Sequence, residues 1–356
     1  MATTKKKTKK TGVGFIGAGG ISRTHMGYLA DMEDVELVAV ADISETALEQ
    51  CSETYGFSNC FTDYKKMLKM KEIDAVTVGT PNGMHHQPTI DALKAGKDVM
   101  VEKPMAMTAE EAAEMIKAAR KAKQMLVIGF QHRFSAEAQM LKRSIDQGEF
   151  GHIIYARCLA LRRRGIPNWG VFGRKDLQGG GALIDIGVHM IEAAHYLMGS
   201  PQPVSAFGSA YTYMGNKPSK TACSWPDWDH KTYTVEDLAI GMIRFDNGAT
   251  LSVEASFAAH IGKEEWTFCL MGEKGGGQFR PPMIFKDEAG TMVNLEPGFL
   301  PKTDEFQVKM RHFIECVQTR KPSEAPGEHG LLVQQMLNGI YRSAELGREV
   351  ALVPLV

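Results

Sequence analysis

Apolar residues in the first third of the chain fall in short runs separated by amphipathic stretches, the pattern of strands alternating with helices. The runs are GVGFI from residue 12, VELVAVAD ending at Asp42, AVTVGT ending at Thr80, DVMVEKP ending at Pro104 and MLVIGF ending at Phe130. Helical patterns lie between them: from the first glycine turn to near Asp31, then near Ser44 to Tyr55, His86 to Ala95, and Ala109 to Lys123. Strands that are apolar throughout, each followed by a helix, predict a parallel, doubly wound sheet covered on both faces. This α/β domain is expected over residues 12–132.

After Arg133 the texture changes. A helix near Ala136 to Gln147 leads into the strand GHIIYARCLAL and then an irregular segment. The next helix carries Asp185 and His189 and should end near Met198, with Gly199 as its C-terminal cap. The segments VSAFGSAY, LAIGMIRF, ATLSVEASF and EWTFCLMG then alternate as strands of a mostly antiparallel sheet. Helices near Asp304 to Thr319 and Gly330 to Leu346 close the chain, giving a second, α+β domain over residues 133–356.

Composition adds bounds. A chain of 356 residues exceeds one ordinary core, which agrees with two domains. Its net charge of -1 gives no general pull toward nucleic acid or membrane. The six cysteines show no CxxC spacing, which argues against structural zinc or a disulfide framework and fits a reducing cytosol. No apolar run reaches the roughly 20 residues that span a bilayer, and the N-terminus lacks the apolar centre of a secretory signal. A cytoplasmic location is expected. The opening MATTKKKTKK holds five lysines in ten residues, so residues 1–11 read as a disordered, solubilising tail; nucleic-acid or surface tethering is the alternative.

Chemistry concentrates at the strand ends. Gly17, Gly19, Gly20 and Ile21 lie in a GxGxx turn that follows a strand and opens a helix, with Ser22 where the dinucleotide fingerprint places a third glycine or alanine. Such glycines let a pyrophosphate approach the positive helix N-terminus. Asp42, at the end of the next strand, can accept bonds from an adenosine ribose. Its charge repels a 2′-phosphate, and Ile43 and Ser44 supply no cation, so NAD is expected over NADP. Thr80, Asn82, His85, Glu102 and Lys103 occupy the sheet edge where ligands bind in open parallel sheets. A lysine there can stabilise a developing alkoxide. For His85 and His86, which open a helix, a neutral or capping role is expected and no metal site.

In GGGALIDIGVH, residues 179–189, helical spacing stacks Asp185 and His189 about 6 Å apart. Alone, such a pair also reads as a solvated surface pair. In LRRRGIPNWG, residues 161–170, Arg163 and Arg164 can bond sugar hydroxyls or a carboxylate, and Trp169 can stack on a pyranose face. A subunit or interdomain contact is the alternative. The loop CSWPDWDHKTY, residues 223–233, could wall a saccharide pocket. His260 reads as structural, and the many methionines as core filler.

Taken in order, GAGGIS, VAVAD, TPNGMHH, EKP, GFQHRF and GGGALIDIGVH closely resemble the Gfo/Idh/MocA family of nicotinamide-dependent oxidoreductases. The resemblance covers everything after the lysine tail. It implies a Rossmann domain followed by a substrate domain whose open-faced sheet serves dimer or tetramer contacts. It further implies Lys103 as catalytic lysine, Asp185 as substrate-binding aspartate and His189 as general acid/base, with Pro104 following a cis peptide.

Oxidising a secondary alcohol removes a hydroxyl proton and a carbon-bound hydride, so base, alkoxide stabiliser and nicotinamide must meet at one carbon. In this reading His189 takes the proton, Lys103 polarises the oxygen, and Asp185 orients the hydroxyl and raises the histidine's pKa. Glu192 either supports the imidazole or is a plain exposed glutamate. The expected activity is NAD-dependent oxidation of a ring hydroxyl of a sugar, glycoside or cyclic polyol, by a homodimer or homotetramer that binds neither nucleic acid nor membrane. Alternatives are NAD-recycling glycoside cleavage by oxidation, elimination and reduction, and a non-catalytic nicotinamide-sensing regulator.

Overall fold

The computed structural model describes residues 9–356. The lysine tail up to residue 8 lies outside the described residues. Thr11 already belongs to the first strand and Lys9 pairs with Asp74 at 2.9 Å, so ordered structure begins before the expected boundary.

The first domain is a six-stranded parallel sheet in the order β3-β2-β1-β4-β5-β6. Its strands are β1 (Thr11–Ile16), β2 (Val35–Ala41), β3 (Cys60–Phe61), β4 (Ala75–Val78), β5 (Asp98–Val101) and β6 (Leu126–Ile128). Helices α1 (Gly20–Ala30), α2 (Glu45–Tyr55), α3 (Tyr64–Met67), α4 (His86–Lys94) and α5 (Ala109–Ala122) connect them. The central strands β1, β4 and β5 are buried along their whole length, as apolar runs covered on both faces must be. Order reverses between β1 and β4, which opens a crevice at the C-terminal edge of the sheet.

In the second domain, α6 (Ala136–Asp146) precedes β7 (Ile153–Leu161), and α7 (Lys175–Gln178) precedes a π-helical turn at Leu183–Gly187 that runs directly into α8 (Val188–Leu197). There follow β8 (Pro203–Tyr211), β9 (Leu238–Phe245), β10 (Thr250–Ser256), β11 (Glu265–Gly272), β12 (Gly275–Gln278), β13 (Met283–Glu288) and β14 (Thr291–Leu295). The chain ends with α9 (Glu305–Thr319), α10 (Gly327–Leu346) and β15 (Val350–Ala351). All nine strands form one sheet, β14-β13-β12-β11-β7-β10-β9-β8-β15, antiparallel except for the β7–β10 pair. Its inner face buries Ala156, Cys158, Ala206, Ile243, Leu251, Val253 and Phe268 against α8 and α10. Its outer face leaves Phe207, Ile240, Met242 and Met271 open, with Phe207 opposite Met242 in register.

From α9 onward the chain returns to the first domain. Helix α9 packs on α1, Arg311 forks onto Asp34 at 2.8 and 2.9 Å, and Val127 of β6 bridges to Pro326. Along α8, Gly199 adopts the left-handed conformation (φ +85°) expected of a helix-terminating glycine.

Candidate active site

The glycine turn brings three chain segments together. Gly17 has φ +101°, and a Cβ there would stand 2.8 Å from the Gly79 carbonyl oxygen, so only glycine fits. A Cβ at Gly19 or Gly20 would meet nothing within 4 Å, which means that the space before the first turn of α1 is open. Gly19 is the N-cap, and no side chain caps the helix. Its first amides are therefore free for an anion. Asp42 accepts from the Ala18 amide at 2.7 Å and the Ser44 amide at 2.8 Å, which fixes its carboxylate beside the turn with lone pairs to spare. Ile43 projects fully into solvent. Arg23 reaches the same turn, where Nε donates to the Ala18 carbonyl and Nη2 to Gln50. These residues fit a dinucleotide.

Further along the edge, Thr80 Oγ1 donates to the Met84 carbonyl, and Asn82 Nδ2 donates to the Gln178 carbonyl at 3.0 Å, tying the β4 loop to α7. His85 caps nothing. Its ring is buried and lies 2.8 Å from the Pro104 carbonyl and 2.9 Å from that of Thr80, so it braces two loops; burial holds its pKa below the ordinary imidazole value. The Lys103–Pro104 peptide is cis.

Beneath Lys103, Glu102 is buried. Its Oε1 accepts from Lys309 of α9 at 2.7 Å and lies 3.1 Å from His25 Nε2, while Oε2 accepts the Lys103 amide at 3.2 Å. Burial alone would raise the Glu102 carboxyl, but the Lys309 ammonium and His25 hold it well below the usual carboxylate range. A charged pair thus underlies the site at a depth that only mutual neutralisation sustains.

Lys103 Nζ meets Asp185 twice, at 2.8 Å from its carbonyl and 3.1 Å from Oδ1. The π-helical turn makes this possible. Where α-helical spacing predicts a stacked Asp185/His189 pair, the Val188 amide instead reaches back to the Leu183 carbonyl, and the widened turn presents Asp185 to the other domain. Glu236 secures the start of this turn by accepting from the Gly181 and Leu183 amides and from Tyr341.

His189 is 8% exposed, and its Nδ1 lies 3.3 Å from Gln131 Nε2. The His132 ring stands 5.1 Å away, edge to face, and His132 Nδ1 is 2.9 Å from Glu305. The expected upward bias of the His189 pKa is not found. Burial first, then the Lys103 charge, push it well below the ordinary value, because Asp185 directs its carboxylate to Lys103. Glu192 is not an exposed glutamate either; it is fully buried, 2.8 Å from Arg133 Nε, and braces α8 rather than the imidazole.

Of the expected substrate contacts, Arg163 is exposed, and Arg164 lies 3.2 Å from His260, itself exposed; both arginines line an open cavity of about 560 Å³ with Ser224 and Glu264. Trp169 is 48% exposed and touches Trp225. Arg162 turns the other way, over the Trp225 ring at 4.9 Å. Burial lowers its pKa, while the Asp185 and Glu264 carboxylates oppose that shift. Gln131 and His132 lie in GFQHRF and Arg162 in LRRRGIPNWG, but neither motif gives any of the three a role; Glu236 and Lys309 carry no motif signal. Gln131 could have been singled out, because it follows β6 at the ligand-binding edge of the sheet.

The arrangement juxtaposes an open helix N-terminus, an ammonium and an imidazole across a domain boundary. Two family models divide the chain in the same way: the NAD-binding Rossmann fold of the oxidoreductase family matches residues 11–130, and its C-terminal alpha/beta domain matches residues 142–352. The chain belongs to the Gfo/Idh/MocA oxidoreductase family. It is a nicotinamide-dependent oxidoreductase. It is 38% identical over 344 residues to D-glucoside 3-dehydrogenase of Escherichia coli K12, spanning 96% of this chain and 97% of that one. It is 30% identical over 281 residues to levoglucosan dehydrogenase of Pseudarthrobacter phenanthrenivorans, spanning 74% and 72%. Among solved structures it resembles aldose-aldose oxidoreductase from Caulobacter crescentus complexed with glycerol, with a TM-score of 0.80, 27% identity and coverage of 97% and 100%. No helix of the described residues is long and apolar enough to cross a membrane.

Proposed function

We propose that this oxidoreductase oxidises a secondary ring hydroxyl of a glycoside, with NAD as the cofactor, and that Lys103, Asp185 and His189 perform the chemistry. The observation that carries the reading is the double contact of Lys103 Nζ with Asp185, which places an ammonium from the cofactor domain beside the helix that bears His189. Likeness to a D-glucoside 3-dehydrogenase favours a glucoside and its 3-hydroxyl.

A nicotinamide dinucleotide would supply the hydride acceptor. Gly17, Gly19, Gly20 and Ile21 would hold its pyrophosphate before α1, and Asp42 its adenosine ribose, which favours NAD because a carboxylate there repels a 2′-phosphate. Thr80 and Asn82 shape the loop along the cofactor, with His85 and Glu102 holding that loop and Lys103 from behind. His189 Nε2, with no hydrogen bond to the described residues, takes the hydroxyl proton. Lys103 stabilises the alkoxide, and Asp185 positions Lys103 and the neighbouring hydroxyl. Arg163, Arg164 and Trp169 contact the substrate away from the reacting carbon. The exposed apolar sheet face around Phe207, Ile240, Met242 and Met271 suits a homodimer or homotetramer.

The test is an anaerobic screen of monosaccharides, glycosides and inositols with NAD and NADP, following reduced cofactor and products. Stoichiometric NADH and keto-glycoside are expected. Aglycone release without net NADH would replace dehydrogenation with the oxidation-elimination-reduction cycle.

A further inference from the structure

Two irregular segments, residues 162–174 and 212–237, meet each other on the second domain. Asn168 Nδ2 donates to the Pro226 carbonyl at 2.7 Å, and the Thr234 amide donates to Gly173 at 2.8 Å. At their seam, Trp169 and Trp225 pack edge to face with ring centroids 4.7 Å apart, and Phe172 lies 6.0 Å from Trp169. This cluster lies outside the core, for Trp169 is half exposed. By contrast Trp228, from the same loop, is buried and donates to the Gly215 carbonyl, whereas Trp225 is half-buried under Arg162 and Trp169 is exposed.

The cluster is connected to the reaction centre by Arg162. Its amide donates to the Ser256 carbonyl at the end of β10, one residue from Ala255, which packs against Gly187 of the π-helical turn. Its guanidinium then covers the Trp225 ring at 4.9 Å and the Phe257 ring at 5.8 Å. The Asp185 carboxylate acts on the Arg162 guanidinium through its charge, so a series of neighbours runs from Asp185 through Arg162 and Trp225 to the exposed Trp169. On the outer side lies the polar cavity of Arg163, Arg164, His260 and Glu264.

We infer that Trp225 and Trp169 form an outer subsite that takes the flat apolar face of a second ring joined to the oxidised sugar, with Arg163 and Arg164 as its polar rim. An aromatic pair flanked by guanidinium groups suits a ring that offers C–H surface on its face and hydroxyls on its edge. The inference rests on the glycoside reading above and specifies it: the group beyond the glycosidic oxygen is recognised, not merely tolerated. Either an aromatic aglycone or a second pyranose offers that surface.

The experiment compares kcat/KM for methyl β-glucoside, phenyl β-glucoside and cellobiose in the wild type and in Trp225→Ala, Trp169→Ala and the corresponding Phe variants, each first checked by thermal melting. The wild type should favour the two-ring substrates over the methyl glucoside by about tenfold or more, through KM. In the Ala variants that ratio should collapse toward one, and the Phe variants should keep most of it. Loss for cellobiose alone assigns the subsite to a sugar, and loss for phenyl glucoside alone assigns it to an aglycone. A wild-type ratio near one, or a ratio unmoved by both Ala variants, overturns the inference. If none of these compounds reduces the cofactor, the glycoside-oxidation reading fails by itself. Calorimetric binding of the same three compounds then decides the subsite, which requires weaker two-ring binding in Trp225→Ala.

Discussion

Gln131 Nε2 stands 3.3 Å from His189 Nδ1, while the carbonyl oxygen of the same amide is buried without a partner. Turning the amide over pairs that oxygen with Nδ1–H and leaves Nε2 as the lone-pair nitrogen a base requires. In that orientation Gln131 would fix the histidine tautomer. In Gln131→Glu, a carboxylate facing Nδ1 should raise the acid-side midpoint of the kcat/KM profile by about one unit or more. Gln131→Leu should lower the rate at every pH without moving the midpoint. A pH profile of alcohol oxidation distinguishes them, and identical profiles would remove the role.

The His189 pKa lies well below its ordinary value, so the ring proposed as the base is already neutral at pH 7. Oxidation by the wild type should show no acid limb near pH 6.5 and should decline only well below it. Ketone reduction needs the protonated ring and should strengthen as pH falls. Measured limbs centred on 6.5 in both directions would contradict this.

Lys103→Met removes the ammonium while keeping the chain's bulk. Loss of one preorganised charge at a developing alkoxide should lower kcat by about 10²- to 10³-fold. Cofactor titration by fluorescence verifies that the loss is in turnover. For Asp42→Ala, the NADP/NAD ratio of kcat/KM should rise at least about tenfold, since a like-charge clash is removed. An unchanged ratio would take away the reason for preferring NAD.

Stability should fall with acid. His25, His85 and His189 have lowered pKa values, His195 lies at about 3 and His329 at about 4, in each case through burial first. An unfolded chain protonates these rings at about 6.5, whereas the folded one resists. Their contribution is therefore complete above pH 6.5 and falls as pH drops below it, by on the order of 1 kcal/mol per ring per pH unit, down to about 4 for His329 and about 3 for His195. Melting curves from pH 7.5 to 4.5 would show it; a constant Tm would not fit.

Glu192→Ala should destabilise the fold by about 3–5 kcal/mol, because it strands a buried guanidinium. Arg133 lies fully buried between the Phe130 and Tyr196 rings and also donates to the Glu324 carbonyl. Urea unfolding measures the difference.

Most of the fold was legible because its cause is local: continuous apolar runs give the strands of the parallel sheet, period-two alternation those of the antiparallel one, and period-3.6 patterns the helices. Strands β12 to β14 escaped because three glycines in Gly275–Gln278 and the charged end of Met283–Glu288 carry no such pattern. At the site, the sequence placed Lys103, Asp185 and His189 in one region through the resemblance. It could not foresee the π-helical turn, since the residues Leu183–Gly187 are compatible with an α-helix and only the tertiary pull of Lys103 and Glu236 distinguishes the two. Nor could spacing disclose Lys309, which lies 207 positions from the Glu102 it neutralises.

That last pairing bears on how the molecule is made. The cofactor domain is encoded first, yet Glu102, which carries Lys103 beside it, has its counter-charge on α9. During synthesis the Rossmann sheet can assemble early, but the Glu102 carboxylate gains its counter-charge from α9 only once residue 309 has left the ribosome. Ordering of the loop that carries Lys103 is thus tied to the second half of the chain rather than to its own domain.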